Sequence, residues 1–208
     1  MKFFTLPNLL SELRILLVPF MLLLAWTNSP KLFLACLILA LFTDMADGFL
    51  ARKLRQTSEL GAKLDSWADF ATYPTLPLCA WWLRPDVIRE ETYFLVAGIS
   101  FYIASIVFGF LKFRRLNPYH TWGGKVAAIL LGAAALVIFA GGPGWPLRIV
   151  MPVVVLSGLE EMAITAMLSV CRADVPSLWH ALQIRKEAGR EKVSSVTPRG
   201  IETTDGHG

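Results

Sequence analysis

Four aspartates lie near the ends of two strongly apolar segments, at positions Asp44, Asp47, Asp65 and Asp69. Residues three or four apart share one face of a helix, so each pair would project from one side of its own helix. An unpaired carboxylate is costly to bury in an apolar environment, so these groups need a partner. If the two helices face each other, the four carboxylates surround one space. An all-oxygen set without His or Cys suits Mg²⁺, Mn²⁺ or Ca²⁺.

Small residues and an arginine accompany the aspartates. Gly48 and Gly61 fall on the aspartate faces, where a missing side chain lets a ligand approach the backbone, although glycine also serves close helix packing. Arg52 follows Ala51 and carries a guanidinium that suits phosphate, or that anchors the helix at the membrane surface. Carboxylates, a divalent cation, glycine and arginine together predict phosphoryl transfer.

Two other interpretations of the aspartates remain open at this point. They could be helix-end charges that pair with Lys53, Arg55 or Lys63. They could also form the ion site of a cation- or proton-coupled transporter. A transporter would need carboxylates near the bilayer midplane and broken helices, whereas these aspartates lie at segment ends. Their position therefore favours an enzyme.

The complete motif resembles the signature of the CDP-alcohol phosphatidyltransferase family at eight fixed positions and every interval. It reads Asp44-x-x-Asp47-Gly48-x-x-Ala51-Arg52, eight residues, then Gly61-x-x-x-Asp65-x-x-x-Asp69. A second stretch is similar to the opening segment of the family, at Asn8, Ser11, Arg14 and Pro19. After about Pro77 only the pattern of apolar segments supports the resemblance.

The resemblance implies a metal-dependent transfer of a phosphatidyl group from CDP-diacylglycerol, or a similar CDP-alcohol, to an acceptor hydroxyl, with release of CMP. By resemblance Asp44, Asp47 and Asp65 bind Mg²⁺ or Mn²⁺, and Asp69 joins a second ion and acts as the general base. The remaining motif residues would bind the CDP-alcohol: Gly48, Ala51, Arg52 and Gly61. The implied partners are the CDP-lipid, a small alcohol, membrane lipids and a second copy of the chain in a homodimer. A catalytically inactive scaffold is disfavoured because all four aspartates are present.

A basic cluster further along the chain could bind a phosphate-bearing acceptor. Its members are Lys112, Arg114, Arg115 and Lys125, with His120 among them. The simpler interpretation is that these cations anchor the helices to anionic lipid. An acceptor phosphate would nevertheless need cations of its own.

The identity of the acceptor is open between two groups. The basic cluster favours glycerol 3-phosphate. By contrast, Ser66 and Phe70 stand where glycerol 3-phosphate members of the family usually have Pro after the third aspartate and Lys after the fourth. Leu64-Asp65-Ser66, with Pro77 eight positions after Asp69, looks more like members that use serine or inositol-type acceptors. We favour glycerol 3-phosphate and keep the others as alternatives.

Composition and segment length predict an all-α integral membrane protein. Hydrophobic residues make up 55% of the 208-residue chain, and a membrane-spanning helix takes about 20 apolar residues. Six segments fit, at roughly 7–28, 32–52, 61–83, 92–113, 124–141 and 147–171. Cys36, Cys79 and Cys171 lie in apolar runs and predict neither a disulfide framework nor a metal site. Residues 1–172 would form one membrane domain.

Orientation follows from the basic residues, which collect on the cytoplasmic side. With both termini inside, the opposite side keeps only Lys31, Arg84, Arg89 and Arg148. This orientation places the aspartates at the cytoplasmic face, in what the resemblance implies is the bacterial cytoplasmic membrane. The uneven distribution explains the net charge of +4 without nucleic acid.

The last residues differ in character from the membrane domain. Within the cytoplasmic tail, 173–208, the stretch 173–184 could form a short surface helix with Leu178, Trp179 and Leu182 on the membrane, and the remainder has the composition of a disordered segment. Glu160 and Glu161, inside the last apolar segment, should face protein or a wet cavity, and the sequence gives them no role.

Overall fold

The computed structural model describes residues 6–53, 59–114 and 121–167, together with 177, 179–180 and 182–183. Within these ranges the long elements are all α-helices and no strand occurs. Their bounds are α1 Leu6–Trp26, α2 Pro30–Lys53, α3 Glu59–Leu83, α4 Pro85–Glu90, α5 Thr92–Phe113, α6 Trp122–Phe139 and α7 Pro146–Met167. The all-α prediction is confirmed, and six of the seven helices coincide with the six predicted segments.

The first two helices form an antiparallel hairpin closed by a three-residue connection. Asn28 in this connection takes a left-handed backbone conformation with φ 52°, which asparagine tolerates better than most residues. The hairpin buries Met21 of α1 against Phe33 and Leu37 of α2, all three fully buried. The same core continues to α6, because the Phe33 and Phe139 rings lie 4.4 Å apart.

The remaining helices pack around this hairpin and around α7. Helix α1 packs along both α2 and α3, so the two aspartate-bearing helices flank one common neighbour. Helix α7 packs along α5 and α6, and contacts between α2 and α6 join the two groups. Small residues let these helices approach closely: a Cβ on Gly158 of α7 would lie 3.3 Å from the backbone oxygen of Phe101 in α5.

Four of the described helices are long and apolar enough to cross a membrane. The four stretches are Leu9–Trp26, Thr92–Phe113, Trp122–Phe139 and Pro146–Met167. Helices α2 and α3, which carry the aspartates, are of similar length but are not among the four. The described part of the chain is therefore all-helical, with four helices of membrane-spanning character, and the six predicted spans stay a prediction.

Helix α4 was not predicted, because the Arg84-Pro85-Asp86 stretch has the composition of a helix-breaking connection. Pro85 instead occupies the first turn of a helix, where its missing N–H costs no hydrogen bond. Arg84 donates to Asp86 and also to the backbone oxygens of Ile138 and Gly142 at the end of α6. The hydrogen bonds that Asp86 accepts from the Arg84 guanidinium lower the pKa of the Asp86 carboxyl.

A second ion pair lies at the same end of the bundle. Glu91, only 1% exposed, accepts hydrogen bonds from the Arg148 guanidinium at 2.9 Å and 3.0 Å. Arg84 and Arg148 belong to the small basic set expected on the outer face. Both have structural partners, so their presence there does not require membrane anchoring.

We predict that Gly142→Ala destabilises the protein by about 1–3 kcal/mol. A Cβ at this position would lie 2.6 Å from the backbone oxygen of Val137, and the backbone cannot yield as a flexible side chain does. Thermal unfolding in detergent is the measurement. Gly109→Ala is the matched control, because no atom lies within 4 Å of its Cβ position. Equal melting temperatures for Gly142→Ala and wild type would contradict this packing.

Two smaller expectations are answered only in part. Cys36 and Cys79 are buried in the core as free thiols, whereas Cys171 lies outside the described residues. Of the expected tail helix, the described residues Trp179, His180, Leu182 and Gln183 are helical. Leu178 and the rest of the tail lie outside the described part of the chain.

Candidate active site

The first two aspartates of the motif share one arginine. The Arg14 guanidinium lies between them, with Nη1 2.5 Å from Asp44 Oδ1 and Nη2 in an ion pair with Asp47 Oδ2. Ser11 Oγ donates a further hydrogen bond to Asp47 Oδ2 at 3.2 Å. Two residues of α1 therefore hold two residues of α2.

The geometry of the hairpin explains this meeting. Ser11 and Arg14 are three residues apart on α1, and Asp44 and Asp47 are three apart on α2, so each pair occupies one helix face. Arg14 lies about as far before the connection as Asp44 lies after it, so the antiparallel arrangement brings them level. The prediction that Asp44 and Asp47 are neighbours on one face is confirmed.

The two aspartates differ in their exposure to solvent. The Asp47 side chain is 9% exposed and the Arg14 side chain is 3% exposed, whereas the Asp44 side chain is 47% exposed. Asp47 thus forms the inner, desolvated end of the pair, and Asp44 forms the outer end. A small polar ligand would reach the pair from the Asp44 side.

The other motif residues are placed by the backbone only. Asp65 and Asp69 lie within α3, and Gly48, Ala51 and Arg52 lie within α2, but their side chains lie outside the described part of the structure. Gly61 is half-buried on α3. Among the described side chains no group of three or more His, Cys, Asp or Glu could hold a metal ion, and two of the four aspartates are not in that set. The predicted four-carboxylate arrangement stays a prediction.

Arg14 pairs with the aspartates, whereas the sequence suggests Lys53, Arg55 and Lys63 as their partners. Its position in the opening segment does not by itself indicate this contact. A signal was present: a fixed charge inside an apolar segment must be paired. The aspartates, at a matching distance from the connection, were the available counter-charges.

The basic cluster is only partly described. Lys112 Nζ donates to the backbone oxygens of Thr165 and Ala166 at 2.8 Å and 2.9 Å, so it caps the end of α7. Lys125 Nζ lies 5.3 Å from the centre of the Trp122 ring in the first turn of α6. Arg114 follows α5 and is exposed, with a left-handed backbone, whereas Arg115 and His120 lie outside the described residues.

The two membrane glutamates of α7 lie against the first turn of α6. A Cβ on Gly123 would be 2.8 Å from Glu160 Oε2, and one on Gly124 would be 3.5 Å from Glu161 Oε1. Ser105 of α5 donates to Glu161 Oε2 at 3.3 Å. Carboxylates are stabilised near a helix N-terminus by the backbone dipole. The expectation that these glutamates face protein is confirmed, and their position gives them a packing role.

The described donors fit a divalent cation. Asp44 and Asp47 offer adjacent carboxylate oxygens, and a positive group already lies between them in the form of the Arg14 guanidinium. Hard cations such as Mg²⁺ and Mn²⁺ prefer such oxygen donors. Fold and site together define a class: an all-helical protein with membrane-spanning helices and a carboxylate pair, held by an arginine, in the second half of one helix.

Comparison with known proteins gives the family. Residues 4–171 match the profile of the family described as CDP-alcohol phosphatidyltransferase. Several relatives carry the name CDP-diacylglycerol–glycerol-3-phosphate 3-phosphatidyltransferase, and three of them illustrate the similarity. The relative from Pectobacterium atrosepticum is 42% identical over 59% of this chain and 70% of its own length. The one from Pseudomonas fluorescens is 27% identical over 93% and 98%, and the one from Aquifex aeolicus 32% identical over 64% and 74%.

The chain belongs to the CDP-alcohol phosphatidyltransferase family. It is a membrane-bound transferase of phospholipid biosynthesis, as the motif led us to expect. No solved structure matches the chain significantly.

Proposed function

We propose that the protein transfers a phosphatidyl group from CDP-diacylglycerol to glycerol 3-phosphate and releases CMP. The observation that carries this proposal is the buried Asp47, paired with Arg14 beside Asp44, within a motif of the phosphatidyltransferase family. The names of the relatives support glycerol 3-phosphate as the acceptor, above all the one aligned over 93% of this chain.

The reaction is a displacement at phosphorus. Asp69 takes the proton of the acceptor hydroxyl, whose oxygen attacks the phosphorus that carries the diacylglycerol. The bond from that phosphorus to the CMP phosphate breaks as the new bond forms, and CMP leaves. Arg52 holds the diphosphate, while Gly48, Ala51 and Gly61 leave space for the nucleotide.

We propose that Asp44, Asp47, Asp65 and Asp69 hold the divalent ions, either Mg²⁺ or Mn²⁺. Such ions, when bound, would offset negative charge on the diphosphate. The oxygen donors that Asp44 and Asp47 place on one helix face support this assignment. Asp47 would be the inner of the two ligands on α2, because it is buried and accepts a hydrogen bond from Ser11.

The acceptor site would lie at the first turn of α6, where Lys125 is exposed. The exposed Lys125 ammonium would offer the acceptor phosphate a charged hydrogen-bond donor there. Arg114 and Arg115 complete the proposed acceptor cations. Lys112 contacts the end of α7, so we assign it to holding that helix in place beside the acceptor site.

A six-span topology places this site at the cytoplasmic face of the bacterial cytoplasmic membrane, with both termini inside. The structural partners of Arg84 and Arg148 support that orientation, since they account for two of the basic residues on the other side. The lipid tails of the donor would lie among the helices, and the acceptor would arrive from water. A homodimer is the proposed assembly, and residues 173–208 form the cytoplasmic tail.

We predict that Lys125→Met raises the KM for glycerol 3-phosphate about tenfold with little change in kcat, since one phosphate contact is lost. Lys112→Met is the matched control: it removes the same charge but uncaps α7, so it should lower the melting temperature and raise the KM less than Lys125→Met does. Initial rates at varied glycerol 3-phosphate give both constants. An unchanged KM in Lys125→Met would remove Lys125 from the acceptor site.

The test of the proposal is acceptor-dependent CMP release. Purified protein receives CDP-diacylglycerol and Mg²⁺ or Mn²⁺ with one acceptor at a time, chosen from glycerol 3-phosphate, serine, inositol, inositol 1-phosphate and choline. We expect release with glycerol 3-phosphate. Release with serine or an inositol acceptor instead would overturn the assigned acceptor and keep the reaction class, in line with Ser66 and Phe70.

A further inference from the structure

The position of Arg14 has consequences for metal binding. Arg14 is 2% exposed, and its two terminal nitrogens contact different carboxylates, Asp44 through Nη1 and Asp47 through Nη2. The guanidinium is planar and keeps its charge at any physiological pH. Among the described side chains, the Arg14 guanidinium therefore places a fixed positive charge in the space between these two carboxylates.

The Arg14 charge offsets the negative charges of the two carboxylates, as a metal ion would. Two carboxylates three residues apart on one helix face repel each other, and burial strengthens the repulsion. The Arg14 fork relieves it while Ser11 holds Asp47 by a hydrogen bond. The two carboxylates are thus held in place, and partly neutralised, by groups of the protein itself.

We propose that Arg14 is a positioning residue that competes with the divalent metal for Asp44 and Asp47 and so sets the metal affinity of the site. The inference rests on the proposed metal-dependent function. A cation that enters between the two carboxylates meets the guanidinium there and must displace it from at least one oxygen. Arg14 therefore stabilises the metal-free protein and weakens metal binding, which keeps the ion exchangeable.

The competition predicts opposite effects of Arg14→Gln on two quantities. Without metal, Arg14→Gln should melt at a lower temperature than wild type, because the carboxylates lose their counter-charge. Its dissociation constant for Mn²⁺ should fall about tenfold, as expected for removal of a like charge from a partly buried site. If Arg14 had a merely structural role, its substitution would lower stability without raising the affinity for Mn²⁺.

The experiment is a Mn²⁺ titration of purified full-length protein in lipid nanodiscs, with free Mn²⁺ followed by electron paramagnetic resonance. Arg148→Gln is the matched control, because it removes the same charge and breaks an ion pair with a buried carboxylate, Glu91, on a different helix pair. Arg148→Gln should melt at a lower temperature than wild type and bind Mn²⁺ with the wild-type dissociation constant. Arg14→Lys, which keeps the charge but not the fork, should bind with an intermediate constant.

The outcomes separate this inference from the proposed function. Tighter Mn²⁺ binding by Arg14→Gln and not by Arg148→Gln supports the competition. If Arg14→Gln binds Mn²⁺ as wild type does or more weakly, the competition is overturned. If Arg14→Gln does not fold, Arg14→Lys takes its place, and a Mn²⁺ affinity equal to or below that of wild type overturns the competition. If wild type binds Mn²⁺ and Asp47→Asn does not, the proposed function stands whether or not Arg14 competes with the metal. A wild-type protein that binds no Mn²⁺ overturns both.

Discussion

Asp69→Asn is expected to lower CMP release by about 10²–10⁴-fold, the range for loss of a general base. The amide has nearly the same size but cannot take a proton from the acceptor hydroxyl, and it is a poorer metal ligand than a carboxylate. Initial rates of CMP release at saturating CDP-diacylglycerol measure the loss. The melting temperature should stay close to that of wild type.

The control for this variant is Asp86→Asn, the same chemical change at an exposed aspartate in α4. It should release CMP at the wild-type rate. Near-normal rates in Asp69→Asn would show that another group takes the proton.

The ion pair of Asp86 also depends on pH. Because the Arg84 guanidinium lowers the pKa of Asp86, the small stabilisation from that pair is present above the ordinary carboxyl range and fades as pH falls through the lowered pKa.

Asp47→Asn is expected to lose both activity and stability. It removes a proposed inner metal ligand, which should lower the rate by about 10²-fold or more, as loss of a preorganised electrostatic group does. It also leaves the buried Arg14 without one carboxylate of its pair, and breaking a buried ion pair costs about 3–5 kcal/mol. Rates and thermal unfolding in the same detergent report the two effects.

Asp44→Asn separates these two effects. Its carboxylate is 47% exposed, so its pair with Arg14 contributes about 1 kcal/mol or less to stability. The variant should therefore lose activity as Asp47→Asn does but melt near wild type. If both variants kept full activity, neither carboxylate would be a ligand needed for the reaction.

The helices of the second half could be predicted closely from sequence because their apolar runs are bounded by clear breakers. The segment 92–113 has the bounds of α5, and the segment 147–171 begins within one residue of α7. Helix α4 could not be predicted, because Pro85 both ends one helix and begins the next. Local composition does not distinguish these two uses of proline.

The aspartate side of the described site, but not its arginine side, can be predicted from helical spacing alone. Spacing places Asp44 and Asp47 on one face, since this depends on a single helix. It does not say which residue of another helix meets them, and the Arg14 contact depends on the hairpin register. Lys112 is a similar case, because the backbone oxygens it caps belong to α7, far along the chain.

The most direct test of the central claim follows the acceptor into the lipid. Protein in nanodiscs receives CDP-diacylglycerol, Mn²⁺ and ¹³C-labelled glycerol 3-phosphate in competition with unlabelled serine and inositol, and mass spectrometry reads the product lipids. We predict one labelled glycerol phosphate per new lipid, one CMP per lipid, and no product with Asp69→Asn. CMP release without label in the lipid, or a lipid that carries serine or inositol, would contradict the account.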